Sequence, residues 1–206
     1  MRIVAGRHKG RGLAAPKGRA TRPTTARARE GLFDMLAHGG YGEGGGSVIA
    51  GARVLEAFCG TGAFAFEALS RGAAAATLLD LDEAALDAAR DNAKRLGERT
   101  NAHILRMDAL RPRNARGTHS LVFMDPPYGS RLAAKSLAAL ARKGWMAPGA
   151  VVVVEIGESE RLAPPSGFEP LTERAFGAAR FVLMRYTGAD TPSAVRTAVR
   201  SPRGRA

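Results

Sequence analysis

Over residues 52–156 short apolar runs alternate with amphipathic ones, and that alternation restricts the chain to few architectures. Apolar runs at Arg53–Phe58, Ala76–Leu79, His103–Met107, Ser120–Met124 and Val151–Glu155 predict five strands. Phe64–Arg71 predicts a short helix ended by Gly72. Asp82 is placed to cap a second, in which Leu86, Ala89, Ala93 and Leu96 share one face before Gly97, and Ala133–Arg142 predicts a third. Strands separated by helices return in one direction, so the expectation is an α/β protein, a parallel sheet with helices on both faces. Two further strand candidates, Glu169–Ala175 and Phe181–Tyr186, have Gly177-Ala178-Ala179 between them and should pair as an antiparallel hairpin at the sheet edge.

The flanking sequence differs in kind. Residues 1–38 are expected to form a basic hairpin and a helix: Ile3, Val4, Leu13 and Ala15 flank a His8-Lys9-Gly10-Arg11-Gly12 turn, and Leu32, Phe33 and Leu36 have helical spacing within Ala28–Leu36. Residues 39–51 read as a connector, with six glycines in the nine residues Gly39–Ser47, on which no helix or strand is to be imposed. Residues 52–187 form the main domain. Residues 188–206 have no apolar face and are expected to be a disordered basic tail.

Charge follows the same division. Of the net +12, residues 1–30 carry +8 and residues 188–206 carry +3, leaving a body that is nearly neutral. A basic arm on a neutral body suits a polyanion, because each Lys or Arg placed on a phosphate releases a condensed counterion. Cys59 is the single cysteine, which excludes an internal disulfide; with no secretory signal at the N-terminus, a cytoplasmic protein is expected. No run of about 18 apolar residues points to a membrane span. His8, His38, His103 and His119 are scattered without ligand spacing, so no metal site is expected.

Four features carry chemistry. Glu56-Ala57-Phe58-Cys59-Gly60-Thr61-Gly62 joins a strand to a helix, where a doubly wound sheet opens its ligand crevice. Gly60 and Gly62 let backbone approach a ligand, and Glu56 can accept hydrogen bonds or attract an ammonium. Asp80, at the end of the second strand, can hold both hydroxyls of a ribose, whereas Asp82 reads as a helix cap. These features together fit either a dinucleotide or S-adenosylmethionine. Asp108, after the third strand, reads either as a solvated turn residue or as an acceptor for an adenine amino group. Asp125-Pro126-Pro127-Tyr128 after the fourth strand separates the alternatives. Its prolines fix an extended, rigid turn that aims the Asp125 carboxylate and the Pro126 carbonyl at one point, while Tyr128 can stack on a base. Two adjacent acceptors hold both hydrogens of an exocyclic amine and favour the pyramidal, cationic geometry of its methylation.

The sequence resembles the RsmD family of bacterial 16S rRNA guanine-N2 methyltransferases over residues 1–187. The resemblance rests on the opening MRIVAGRHKGRGL, on Thr21-Arg22-Pro23-Thr24-Thr25 with Arg29-Glu30-Gly31-Leu32-Phe33, on EAFCGTGAFAFEALSRGA, on Asp125-Pro126-Pro127-Tyr128, and on Phe176-Gly177 before Phe181-Val182-Leu183. It implies a Rossmann-like S-adenosylmethionine-dependent methyltransferase fold, mostly parallel with a C-terminal antiparallel hairpin and an N-terminal basic hairpin extension. It implies S-adenosylmethionine as cofactor, held by Glu56, Phe58, Gly60, Gly62, Asp80 and Asp108, and catalysis by Asp125, Pro126 and Tyr128. The family usually carries Asp at the position of Glu56 and Ala at that of Cys59. The expected partner is 16S rRNA, in a 30S subunit or an assembly intermediate, met by a monomer whose Arg7, Lys9, Arg11, Lys17, Arg19 and Arg22 grip phosphates; Arg22 is also a candidate for contact with the catalytic loop. A DNA adenine-N6 methyltransferase is the alternative. An NAD-dependent oxidoreductase would leave Asp125-Pro126-Pro127-Tyr128 and the arm unexplained, and a binding protein without catalysis would not need that motif.

Overall fold

The structure, a computed structural model, describes residues 1–15, 24–127, 132–177 and 179–188. Tyr128, Lys17, Arg19, Arg22 and the tail from residue 189 onward lie outside the described residues.

The chain runs through α1 (Ala26–His38), β1 (Arg53–Ala57), α2 (Ala63–Ser70), β2 (Ala75–Asp80), α3 (Glu83–Leu96), β3 (Ala102–Arg106), β4 (His119–Met124), α4 (Leu132–Arg142), β5 (Met146–Ile156), β6 (Phe168–Phe176) and β7 (Ala179–Tyr186). Among the described residues seven strands form one sheet in the order β3-β2-β1-β4-β5-β7-β6. The β1–β2, β1–β4, β2–β3 and β4–β5 pairs are parallel, and β7 lies antiparallel between β5 and β6. The edge hairpin and the alternating body are therefore as the sequence implies. Strand order reverses between β1 and β4, and in such sheets the ligand crevice lies at that reversal, beyond the carboxyl ends of the strands.

The pleat assigns side chains to two cores. Val54, Leu78, Phe123 and Val153 pack on one face beneath α1, α2 and α3, together with Ile3 and Leu13 from the N-terminal segment. Leu55, Leu79, Met124 and Val154 face the other way, onto Leu137 and Leu140 of α4. Asp82 caps α3 by accepting from the Ala84 N–H at 3.0 Å, as its position suggests.

Two segments differ from their sequence pattern. β5 begins at Met146, five residues before the apolar run, because a register shift between His119 and Leu121 of β4 accommodates Ala147-Pro148-Gly149 inside the strand. The glycine connector contains one 3₁₀ turn, Glu43–Gly45, closed by the Gly46 N–H on the Glu43 carbonyl at 3.2 Å.

The N-terminal segment is a minimal hairpin, with one antiparallel bridge between Arg2 and Gly12 and the Ile3 N–H on the Arg11 carbonyl at 3.0 Å. Buried charge fastens it to the domain. Glu67 of α2, fully buried, accepts from the N–H groups of Val4 (2.8 Å) and Ala5 (3.0 Å) and from Arg71 Nε (2.9 Å). Arg29 of α1, also fully buried, has Nε 4.0 Å from Glu67 and donates to the Arg2 and Thr24 carbonyls at 2.6 and 3.2 Å. Asn92 of α3 accepts from the Ala14 N–H at 2.7 Å and donates to the Thr61 carbonyl at 3.0 Å, so one side chain joins this segment to the glycine loop.

Candidate active site

The loop after β1 is unusual in its backbone. Phe58, Gly60 and Gly62 all have positive φ, 58°, 51° and 77°. For Phe58 that conformation costs about 1–2 kcal/mol, and such local strain concentrates at functional sites. Gly62 is required twice over: a Cβ there would stand 2.5 Å from Leu78 Cδ2 and 2.6 Å from Phe66 Cε2, so α2 could not approach β2. At Gly60 a Cβ would meet nothing within 4 Å; the backbone lies bare to the crevice, and φ alone selects glycine.

Asp80 holds this loop in place. Its Oδ2 accepts from the Gly60 N–H at 2.9 Å, and its Oδ1 from the Leu81 and Asp82 N–H groups at 2.8 and 3.0 Å. A carboxylate offers about four acceptor positions, so these three bonds orient Asp80 and leave acceptor capacity on Oδ2. Asp108 accepts from the Leu110 N–H at 2.8 Å through Oδ1, the geometry of a turn residue.

Glu56 has a task that the sequence left open. Both its oxygens reach across the loop to the start of α2, accepting from Phe64 N–H at 3.2 Å and Ala65 N–H at 2.8 Å. Burial pushes its carboxyl up to about 8, against the pull of those two N–H groups, with the nearby Asp125 pushing the same way and Arg29 opposing.

Across the reversal point, β4 delivers Asp125, with Pro126 buried and Pro127 exposed. Burial, then the charge of Glu155, raises the Asp125 carboxyl to about 7. Glu155, at the end of β5, is 4% exposed and accepts from Thr24 Oγ1 at 2.6 Å. Glu155 does not stand out in the sequence as a site residue, its available signal being the acid that ends the apolar run Val151–Val154; Thr24 belongs to Thr21-Arg22-Pro23-Thr24, a segment that the sequence already makes a candidate to lie close to the active site. A cavity of about 390 Å³ opens beside this turn, lined by Pro126, Pro127, Leu132, Ala133, Ile156 and Arg161, among others. That volume is in the range of small-molecule sites.

Of the described arm residues, Arg7 and Arg11 reach the α3 side. Arg7, with its side chain 48% exposed, pairs with Glu98 at 2.5 Å, and His8 Nε2 lies 2.6 Å from the same oxygen. Burial opposes ionisation of Glu98, but hydrogen bonds from Asn101, His8 and Arg7 hold its carboxyl below the ordinary value. Arg11 donates to the Arg95 carbonyl, and Lys9 is exposed. Exposed Lys94, Arg95 and Arg99 at the end of α3 continue this basic surface.

Among the described residues no group of three or more His, Cys, Asp or Glu side chains is arranged to hold a metal ion, and no helix is long and apolar enough to cross a membrane.

Residues 1–185 match a protein family described as "Conserved hypothetical protein 95". The ribosomal RNA small subunit methyltransferase D of Escherichia coli strain K12 is 38% identical over 156 residues, 75% of this chain and 74% of that protein. The protein of the same name from Haemophilus influenzae strain Rd is 30% identical over 182 residues, 86% of this chain and 89% of that protein. A solved structure described as the putative methyltransferase yhhF from Escherichia coli superimposes with a TM-score of 0.74 at 33% identity, covering 91% of this chain and 98% of that one.

Proposed function

The chain belongs to the ribosomal RNA small subunit methyltransferase D (RsmD) family, an S-adenosylmethionine-dependent rRNA methyltransferase family, and from that premise we propose that it methylates the exocyclic N2 of a guanine in 16S rRNA. The observation that carries this reading is the placement of Asp125-Pro126-Pro127 at the end of β4, beside the glycine loop that ends β1. The proposed target is rRNA within an assembling small subunit, met in the cytoplasm by a monomer.

The donor-side residues suit the cofactor: Gly60 leaves bare backbone at the crevice, and Asp80 has acceptor capacity for a ribose hydroxyl. Asp108 is assigned to the adenine amino group, and Phe58 and Gly62 shape the loop around the donor. Glu56, capping α2, supports that loop from beneath. When bound, S-adenosylmethionine supplies an electrophilic methyl on a sulfonium. On the acceptor side, the N2 lone pair of guanine is delocalised into the ring and is a poor nucleophile. The Asp125 carboxylate and the Pro126 carbonyl accept its two N–H bonds, favour pyramidal nitrogen and stabilise the positive charge that grows as the N–C bond forms and the C–S bond breaks. Asp125 then takes the excess proton and passes it to solvent. Tyr128 is assigned to stacking on the base.

Transfer of radiolabelled methyl to 30S particles, protein-free rRNA, DNA and protein tests the substrate class. Label in the RNA of the 30S or free-rRNA samples is expected. Label confined to DNA would favour an adenine-N6 enzyme, and label confined to protein would overturn the nucleic-acid reading.

A further inference from the structure

Three carboxylates stand at the carboxyl ends of three adjacent strands, β1, β4 and β5, in register with one face of the sheet. Val54, Phe123 and Val153 all pack toward α1 and α2, and two residues further along each strand stand Glu56, Asp125 and Glu155. Asp125 and Glu155 are the closest in register. Met124 pairs with Val154 in the parallel β4–β5 ladder, so one step beyond it the two acids come side by side, at a strand spacing of about 4.8 Å. Among the described residues, Glu155 on β5 bears on Asp125, and Asp125 and Arg29 on α1 bear on Glu56.

The third partner comes from the other end of the chain. Thr24 donates its hydroxyl to Glu155 Oε2 at 2.6 Å, while its carbonyl accepts from Arg29 Nη1 at 3.2 Å. The next residue, Thr25, caps α1 by accepting from the Ala28 N–H at 3.1 Å. The point where the basic arm enters α1 is thus fastened to the residue beside the acceptor carboxylate.

We infer that Glu155 is a positioning residue, which holds the base of the arm through Thr24 and shares a single proton with Asp125. The inference rests on the reading of Asp125 as the acceptor of the substrate amine. Two side-by-side carboxyl groups, one of them nearly excluded from water, do not both ionise without large repulsion, and one proton between them relieves it. The burial and Glu155-driven rise of Asp125 agrees with this. The arrangement ties two features together: an arm whose base is anchored beside the acceptor carboxylate, and an acceptor whose ionisation depends on its neighbour.

The test is a titration of the carboxyl ¹³C resonances of Asp125 and Glu155 in the full-length chain without RNA. In Glu155→Gln the amide oxygen still accepts from Thr24, but the like charge is gone, so the Asp125 midpoint should fall by about one pH unit or more. In Thr24→Val both acids remain, and Glu155 loses the donor that favours its charged form, so its own midpoint should rise. A matching downward shift of the acidic limb of turnover in Glu155→Gln would extend the result to catalysis. An Asp125 midpoint that stays at the wild-type value in Glu155→Gln would overturn the inference. Should that variant fail to fold, an unmoved Glu155 midpoint in Thr24→Val would do the same. Because the titration needs no RNA, it is independent of the substrate assignment, which the methyl-transfer panel tests separately.

Discussion

The Gly60 N–H donates to Asp80 Oδ2 at 2.9 Å, so the carboxylate that ends β2 also fastens the glycine loop that follows β1. One side chain therefore shapes the donor site twice, as a proposed ribose ligand and as the brace of the backbone that a donor must approach.

Asp80→Ala is expected to weaken S-adenosylmethionine binding at least tenfold, about 1.4 kcal/mol, because it loses the ribose contact and frees the loop together. Isothermal titration calorimetry measures this directly. Wild-type affinity in the variant would remove Asp80 from the donor site.

Turnover and stability are expected to respond to pH in opposite senses through Asp125. Its carboxyl lies at about 7 in the fold, above the ordinary 3.8, so the folded state prefers the protonated form. The stability this contributes is fully present below about 3.8 and is lost as pH rises through about 7. The acceptor role needs the ionised form, so turnover should rise over that same upper window. Asp125→Asn should accordingly be more heat-resistant than wild type at pH 8 and lack turnover. A lower melting temperature than wild type at pH 8 would contradict the assigned burial.

Glu67→Ala should cost about 3–5 kcal/mol of stability, since it leaves buried Arg29 without its carboxylate and orphans the N–H groups of Val4 and Ala5. Chemical denaturation would show it. A loss below about 1 kcal/mol would mean that the N-terminal segment is held by its apolar contacts alone.

For RNA contact the informative changes are Lys9→Gln and Arg11→Gln, made together. Arg7 is left intact because it pairs with Glu98 and its loss would disturb the fold. Each phosphate contact removed should flatten the log–log salt dependence of RNA affinity by roughly 0.7 to 0.9. An unchanged slope would assign the grip to other basic residues, such as Lys94, Arg95 and Arg99 on the neighbouring surface.

What could be read from the sequence was whatever is encoded locally. Asp82 and Gly97, fifteen positions apart, bracket α3, the apolar runs mark the parallel strands, and Pro126 and Pro127 announce a stiff turn beside their own aspartate. The start of β5 was hidden because Pro148 and Gly149 look like a break until the β4 register shift absorbs them. Glu56 shows the limit of motif reading. Its place in the glycine motif reads as a donor contact, but only the fold shows both its oxygens turned onto α2. Glu155 with Thr24, and Glu67 with Val4, join residues 131 and 63 positions apart, and no periodicity signals such a pair.

Asp125 is the residue on which the proposed chemistry turns. Its most direct test is nucleoside analysis by mass spectrometry of 16S rRNA, from 30S particles and protein-free, after incubation with S-adenosylmethionine and either wild type or Asp125→Ala. Wild type should yield N2-methylguanosine. Asp125→Ala should give less than a tenth of that rate, a barrier increase above about 1.4 kcal/mol, at undiminished donor affinity. Methylation at another base or atom, or an Asp125→Ala rate close to that of wild type, would contradict it.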